Sequence, residues 1–411
     1  MHRNAEKDLA AWFADNDRKP LYMTGMRGTG KTTLICEFAA SCKTECIYIN
    51  FETNYDLRKL IGDSAERDPE LRLADILGNH YGFSKEYIEA SLIILEEIHL
   101  AGCGDTLASM LMRHKGSLIF TDSEAVNEYV LNDSLHFKHI TLRPLTFAEF
   151  LDANGREWYR EVIEGHFERK KKVPDLIHNE LNDIYADYML TGGMPAVVNE
   201  YILTPPERRR YNIEELQYRE YRNICESIRS HENAQVKVLG LLKNIASNMA
   251  DGSYYYKFSS VRRGTSYPYY KNAVKSLTDC GIAIKTEYAN KINLYCADAG
   301  IAGCLLKSEV SCSDETFDRC MRISCAAANL IKDNRSLYFW HSAHGAGVEF
   351  LFEEDGSRVP VKILNASGKN IRSLHVYDEN NHPEKMFAVS EGNFNIMGRL
   401  CIIPQYAVFC L

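Results

Sequence analysis

Apolar residues in the first 150 positions gather into five short, near-continuous runs. They are Leu21-Tyr22-Met23, Cys46-Ile47-Tyr48-Ile49-Asn50-Phe51, Ser91-Leu92-Ile93-Ile94-Leu95, Ser117-Leu118-Ile119-Phe120 and His139-Ile140-Thr141-Leu142. Runs without polar alternation predict strands covered on both faces. The spacing between them suits helices, the first starting at Thr33-Leu34-Ile35-Cys36-Glu37-Phe38-Ala39-Ala40. Strands alternating with helices predict an α/β fold with a parallel sheet, whose ligand site lies at the carboxyl ends of the strands.

Beyond residue 200 the pattern changes. Pro205-Pro206 followed by Arg208-Arg209-Arg210 predicts a solvated turn between domains. A helix starts at Val236-Lys237-Val238-Leu239, and another, Tyr269 to Leu277, follows a Pro268 helix start. Ile282-Ala283-Ile284-Lys285-Thr286 and Ile292-Asn293-Leu294-Tyr295 predict a hairpin.

At 411 residues the chain exceeds one core, and two to four domains are expected. A net charge of −8 gives no whole-chain signal for nucleic acid or an anionic membrane. The first eight residues carry no apolar signal core, and no apolar run approaches a membrane span. Thirteen cysteines are scattered without a C-x-x-C pair, several inside apolar runs such as Leu400-Cys401-Ile402-Ile403. That usage predicts reduced thiols in a cytoplasmic protein rather than a zinc site or a disulfide framework.

The sharpest chemical signal is Gly25-Met26-Arg27-Gly28-Thr29-Gly30-Lys31-Thr32, which fits G-x-x-x-x-G-K-[ST] at every fixed position, between a strand and a helix. Glycines let such a loop turn its N–H groups around a polyphosphate, and the helix N-terminus adds its dipole. The nucleotide-binding residues expected are therefore Gly25, Met26, Arg27, Gly28, Thr29, Gly30, Lys31, Thr32 and Thr33. Lys31 reaches the β/γ-phosphates, and the Thr32 hydroxyl is a Mg²⁺ ligand. The third strand ends in Glu96-Glu97. In this setting the first acid holds the Mg²⁺ shell and the second orients and deprotonates the attacking water. Asp is usual at the first position, and the longer Glu96 alters the metal geometry; the plainer reading is that both acids cap a strand. At the fourth strand end, Thr121 is the candidate sensor of the γ-phosphate, with Asp122 as the alternative. Thr121-Asp122-Ser123 also reads as a helix cap before Glu124-Ala125-Val126.

The order of these segments resembles a group of prokaryotic AAA-superfamily ATPases. The resemblance runs through Ile49-Asn50-Phe51-Glu52, Leu95-Glu96-Glu97-Ile98, Arg143-Pro144-Leu145-Thr146-Phe147-Ala148-Glu149-Phe150 and Thr191-Gly192-Gly193-Met194-Pro195. Those proteins join a P-loop ATPase to a C-terminal domain resembling restriction-type nucleases. The resemblance implies that Pro195 lies against adenine; from the residues alone, Gly192-Gly193 and Pro195 are a loop between helices. Thr146 and Glu149 form a capping box, which makes that segment architectural. The family's Gly-Arg pair is missing before it, and Arg143 is the arginine nearby. The hairpin region is expected to be a winged helix. Arg262, Arg263, Lys271 and Lys275 near Tyr267, Tyr269 and Tyr270 are its candidate DNA contacts.

The C-terminal segments Gly345-Ala346-Gly347-Val348-Glu349-Phe350-Leu351-Phe352 and Arg358-Val359-Pro360-Val361-Lys362-Ile363-Leu364 look like the family's two active-site strands in damaged form. Gly347 replaces one acid and Pro360 breaks the acid-x-Lys element, which leaves Glu349 alone, whereas a nuclease needs two converging carboxylates. The expected architecture is a P-loop ATPase core (1–155), a helical lid (156–230), a winged-helix-like domain (231–310) and an inactive nuclease-like domain (311–411). The expected function is Mg²⁺-dependent ATP hydrolysis serving a nucleotide switch, with Glu97 and Lys31 catalytic and Thr32 and Glu96 on the metal. Partners are nucleotide, an unnamed protein, DNA through the winged helix, and further copies of the chain in a homo-oligomer, but no membrane. The alternative is a nucleotide-gated DNA-binding or assembly module with little or no hydrolysis.

Overall fold

The fold is described from a computed structural model covering residues 1–68, 70, 72–102, 104–123, 137–228, 232–332, 335–365 and 371–411. Cys103 and the cap expected before Glu124-Ala125-Val126 lie outside the described residues. The chain runs α1 (Ala5–Ala14), β1 (Leu21–Thr24), α2 (Lys31–Ser41), β2 (Cys46–Asn50), α3 (Tyr55–Arg67), α4 (Leu73–Tyr81), α5 (Lys85–Ala90), β3 (Leu92–Glu96), a 3-10 turn (Ile98–Ala101), α6 (Gly104–Met112), β4 (Ser117–Asp122) and β5 (Lys138–Thr141). The five strands form one parallel sheet in the order β2-β3-β4-β1-β5. The strand alternation divides its core into two layers. Leu21, Met23, Ile94, Ile119 and Ile140 pack with Leu9 and Trp12 of α1 and Leu34 and Ile35 of α2. Tyr22, Ile93, Leu95, Leu118 and Phe120 face Ile61, Leu77, Leu107 and Leu111 from α3, α4 and α6. Apolar runs without alternation are what two covered faces require, and β3 and β4 are buried throughout.

Five helices follow: α7 (Phe147–Ala153), α8 (Glu157–Arg169), α9 (Asp175–Thr191), α10 (Pro195–Leu203) and α11 (Pro206–Ser227). Thr146 caps α7 in a capping box, its side chain accepting from Glu149 N while Glu149 accepts from Thr146 N. Pro205 and Pro206 stand at the start of α11, so Arg208-Arg209-Arg210 belong to its first turns, not to an interdomain turn. Proline fits a first helical turn because its missing N–H is unpaired there anyway.

The rest of the chain comprises α12 (Glu232–Ala250), α13 (Phe258–Val261), α14 (Tyr267–Asp279), β6 (Ala283–Tyr288), β7 (Lys291–Cys296), α15 (Ala299–Glu309), α16 (Asp314–Leu330), β8 (Leu337–His341), β9 (Gly347–Glu354), β10 (Ser357–Ile363), α17 (Arg372–Asn381), β11 (Met386–Ser390), β12 (Asn395–Met397), β13 (Leu400–Pro404) and a terminal 3-10 turn (Gln405–Cys410). The β6–β7 hairpin turns through Ala289 and Asn290, both at positive φ, as a two-residue primed turn demands. A second sheet has the order β12-β13-β11-β10-β9-β8-β6-β7. It therefore crosses the boundary expected at 310/311, because β6 pairs with β8.

Buried polar contacts lock the second half onto the first. Asn329 of α16 accepts from Phe147 N at 2.8 Å, and Asp298 accepts from Gly193 N at 2.6 Å. Among the described residues no helix is long and apolar enough to cross a membrane, and no disulfide joins the described cysteines.

Candidate functional site at the carboxyl ends of the parallel strands

The loop between β1 and α2 depends on its glycines. A Cβ at Gly25 would lie 2.4 Å from Leu142 O, and Gly28 and Gly30 sit at φ +87° and +90°, a region open to glycine at little cost. Thr29 is fully buried and turns its hydroxyl onto Met26 O. Arg27 is exposed and pairs with Glu52 at 3.0 Å. Thr32 and Thr33 lie exposed on the first turn of α2.

Lys31 points inward, donating to Gly25 O at 2.7 Å and to Ser123 Oγ at 2.8 Å. Burial pushes its ammonium down from the ordinary value, against the pull of Glu97, Asp122 and Glu96. Ser123 in turn donates to Glu97 Oε1 at 2.5 Å, and its N–H to Glu97 Oε2 at 3.0 Å. The loop lysine and the second acid of Glu96-Glu97 are thus bridged by one hydroxyl. Glu97 has φ +56°, which turns the chain sharply into the 3-10 turn. That turn is pinned by the buried Asp122, which accepts from His99 N at 3.0 Å and from Tyr22 OH at 3.0 Å, with His99 Nδ1 2.8 Å away. Burial pushes the Asp122 carboxyl up, while His99 draws it down.

Glu96 and Thr121 are direct partners across β3 and β4, on the face turned to α2. Tyr48 OH holds Glu96 Oε2 at 2.6 Å. Glu96 Oε1 and Thr121 Oγ1 are buried and find no hydrogen-bond partner among the described residues. Thr121 therefore does not reach Lys31 or Glu97, and Ser123, two residues on, makes those contacts. Among the described residues, Glu97, His99 and Asp122 form the one acid–histidine group compact enough for a metal, yet each is already engaged with a protein partner.

Pro195 begins α10, and its Cγ lies 3.7 Å from where a Cβ would stand on Gly30. Gly193 passes so close to Leu145 that a Cβ would lie 2.1 Å from its carbonyl oxygen, and its N–H donates to the buried Asp298 at 2.6 Å. Sequence reasoning missed Arg3. Its Nη1 donates to Thr29 O at 2.8 Å, its Nη2 to Arg143 O at 2.5 Å and its Nε to Glu149 at 3.1 Å. It missed Ser123, His99 and Asp298 as well, because their partners lie 23 to 105 positions away and no local pattern marks them.

The geometry has a counterpart among known proteins: residues 17–151 match the AAA domain family. The chain carries an AAA-type P-loop ATPase domain. Solved structures that resemble the chain include the Walker-type ATPase PABY2304 of Pyrococcus abyssi, at 17% identity, TM-score 0.47, over 74% of this chain and 95% of that one. The Aeropyrum pernix Orc1 protein, solved in complex with DNA, matches at 14% identity, TM-score 0.32, over 75% and 92%. A STAND protein with a tetratricopeptide repeat sensor, from Pyrococcus horikoshii, matches at 15% identity, TM-score 0.30, over 80% and 45%. No curated protein sequence matches the chain. In the ATPase domain, the glycine loop, both acids and the end of β4 converge at one edge of the parallel sheet.

Proposed function

We propose that the chain hydrolyses ATP in a Mg²⁺-dependent reaction and that nucleotide occupancy serves as a switch for its C-terminal half. The carrying observation is the Lys31–Ser123–Glu97 chain of hydrogen bonds, which puts a phosphate-binding cation and a candidate base within one hydroxyl of each other. On nucleotide binding, Lys31 exchanges Gly25 O and Ser123 for phosphate oxygens. Glu97 then orients water for in-line attack on the γ-phosphate, with Lys31 offsetting the developing charge. Thr32 and Glu96 suit Mg²⁺, since a hydroxyl and a carboxylate are the hard oxygens it takes and Glu96 Oε1 is buried without a partner. When bound, the ion neutralises charge on the β- and γ-phosphate oxygens. Pro195 beside Gly30 is the expected adenine contact, and the absence of an N-K-x-D element for guanine favours ATP over GTP.

Phosphate release from Mg-ATP tests this reading. Wild type should turn over, Glu97→Gln should bind ATP but lose at least about a hundredfold in rate, and Lys31→Ala should lose binding. Release that is absent, or unchanged by Glu97→Gln, refutes the hydrolytic assignment.

We read α12–α14 with the β6–β7 hairpin as the winged-helix unit and α16-β8-β9-β10-α17-β11 as the nuclease-like unit. The Tyr254 ring fills the space above Gly347, where a Cβ would meet it at 2.1 Å, and Glu349 is consumed by Lys362 at 2.6 Å. One paired carboxylate supports loss of nuclease chemistry, and plasmid should survive Mg²⁺ or Mn²⁺. The DNA-binding alternative is supported by Lys237 over the exposed Tyr269 ring at 3.9 Å and by Arg262 bonded to its hydroxyl at 3.2 Å. Salt-dependent retention on duplex DNA, weakened by Arg262→Ala with Arg263→Ala, is the result that reading requires.

A further inference from the structure

One acid at the phosphate loop has no part in the ATPase chemistry above. Glu220, on α11, is only 6% exposed, yet no hydrogen bond reaches its side chain from the described residues. Its Oε2 lies 2.7 Å from where a Cβ would stand on Gly28, at the apex of the loop, beside Met194 Cε at 3.0 Å. Lys31, at the other end of the loop, is oriented toward β4, away from this carboxylate. A carboxylate resting on a backbone built to receive a polyphosphate is a conflict of like charges as soon as the loop is filled.

We propose that Glu220 sets the charge preference of the nucleotide site and converts its occupancy into displacement of α11. The inference rests on the ATP-site reading above. A triphosphate brings more negative charge to the loop than a diphosphate, so the repulsion falls hardest on ATP. The space Glu220 occupies exists because Gly28, at φ +87°, carries no side chain. Under this proposal the carboxylate gives up that space together with α11.

The helix is connected to carry that movement. One turn before Glu220, Gln217 donates to Leu190 O at 2.6 Å and to Thr191 O at 3.0 Å, the backbone leading into Gly192-Gly193. Gln217 also lies against α15, where a Cβ on Gly300 would sit 2.6 Å from its Nε2. Lys307 of α15 pairs with Glu214 of α11 at 2.7 Å. Asp298, the cap of α15, accepts from both Gly193 N and Ile301 N. Displacement of Glu220 therefore strains a bonded path from the phosphate loop to α15 and the second sheet.

The test is titration of the full chain with fluorescent ATP and ADP analogues, in wild type and in Glu220→Gln, Glu220→Asp and Glu220→Lys, each checked by thermal melting. ATP affinity should rise about tenfold in Glu220→Gln, further in Glu220→Lys, and little in Glu220→Asp, with smaller gains for ADP. Hydrogen exchange should show ATP loosening residues 213–224 and 190–193 in wild type and less in Glu220→Gln. A flat or reversed Glu–Gln–Lys series, with binding still abolished by Lys31→Ala, overturns the role of Glu220 alone. Weaker binding in every variant instead makes the carboxylate a recogniser of base or ribose and also overturns it. If wild type takes up neither nucleotide, the ATP-site reading falls and this inference with it.

Discussion

Arg3 offers the most direct check on how the nucleotide loop is held. Its side chain is 7% exposed and its partner Glu149 6%, so Arg3→Ala breaks a buried ion pair and removes donors from Thr29 O and Arg143 O. Removing one member of a buried pair costs about 3–5 kcal/mol because the other charge is left behind. Here Glu149 keeps donors from Asn4 N at 2.9 Å, Thr146 N at 2.9 Å and Thr146 Oγ1 at 3.1 Å, which places the loss at the lower end, about 3 kcal/mol. Arg3→Lys retains the charge but cannot fork to three acceptors, so it should recover roughly half of that. Thr29 O lies inside the loop, and its release should lower ATP affinity about tenfold, or about 1.4 kcal/mol. Urea unfolding followed by Trp12, buried on α1 and bonded to Lys19 O, reads stability of the ATPase domain, and titration with a fluorescent ATP analogue reads affinity. A loss under about 1 kcal/mol together with affinity within twofold of wild type would refute the reasoning.

Ser123→Ala removes the hydroxyl that bonds Glu97 and should slow phosphate release about tenfold, the charge-assisted bond that positions the candidate base being lost; an unchanged rate counts against Ser123 as its positioning group. Asp298 is fully buried, and desolvation pushes its carboxyl up to about 6 against the pull of its backbone donors. A folded-state value above the unfolded one gives a contribution fully present below about pH 4 and lost as pH rises through about 6, on the order of 2–3 kcal/mol. Urea midpoints across that window should show it, and Asp298→Asn should flatten the dependence. Lys362→Met leaves Glu349 buried without its cation and should cost about 3–5 kcal/mol, while adding Glu349→Gln should recover much of it; additive losses in the double variant would contradict a coupled pair.

The parallel sheet was legible because its three central strands are buried apolar runs, and the glycine loop because its backbone needs glycine at fixed spacing. Glu97 was legible as an acid following an apolar strand. Thr121, expected as the γ-phosphate sensor, lies on the α2 face beside Glu96, while the chain past Asp122 brings Ser123, which carried no catalytic expectation, round to Glu97. Arg3 and Glu220 carried no local sign at all. Each is a charged residue in an amphipathic surrounding, and only tertiary packing shows that it is buried against the loop. The arginines at 208–210 misled because charge runs occur on solvated turns and on exposed helical turns alike, and Pro206 at the helix start decides between them.

The joint between the two halves bears on how a nucleotide signal can travel. Flexibly linked modules would let the second sheet ignore the first, but here one hydrophobic cluster runs from Met26 and Leu145 through Leu277 to Tyr406, and Phe147 N to Asn329 and Gly193 N to Asp298 are polar bonds buried across the joint. Such groups cannot separate slightly without leaving donors and acceptors unpaired, at about 1–3 kcal/mol each. They therefore favour two discrete arrangements over a continuous drift. The contact from Thr24 Oγ1 to Asp279 O at 2.9 Å puts the end of α14 beside the residue that precedes the glycine loop. A change in that loop consequently meets α14 directly, as well as α11 through Glu220. Two routes from one loop, to α11 and to α14, make a concerted shift of the two helices the expected response to nucleotide. A probe pair on those helices should report one transition, not two.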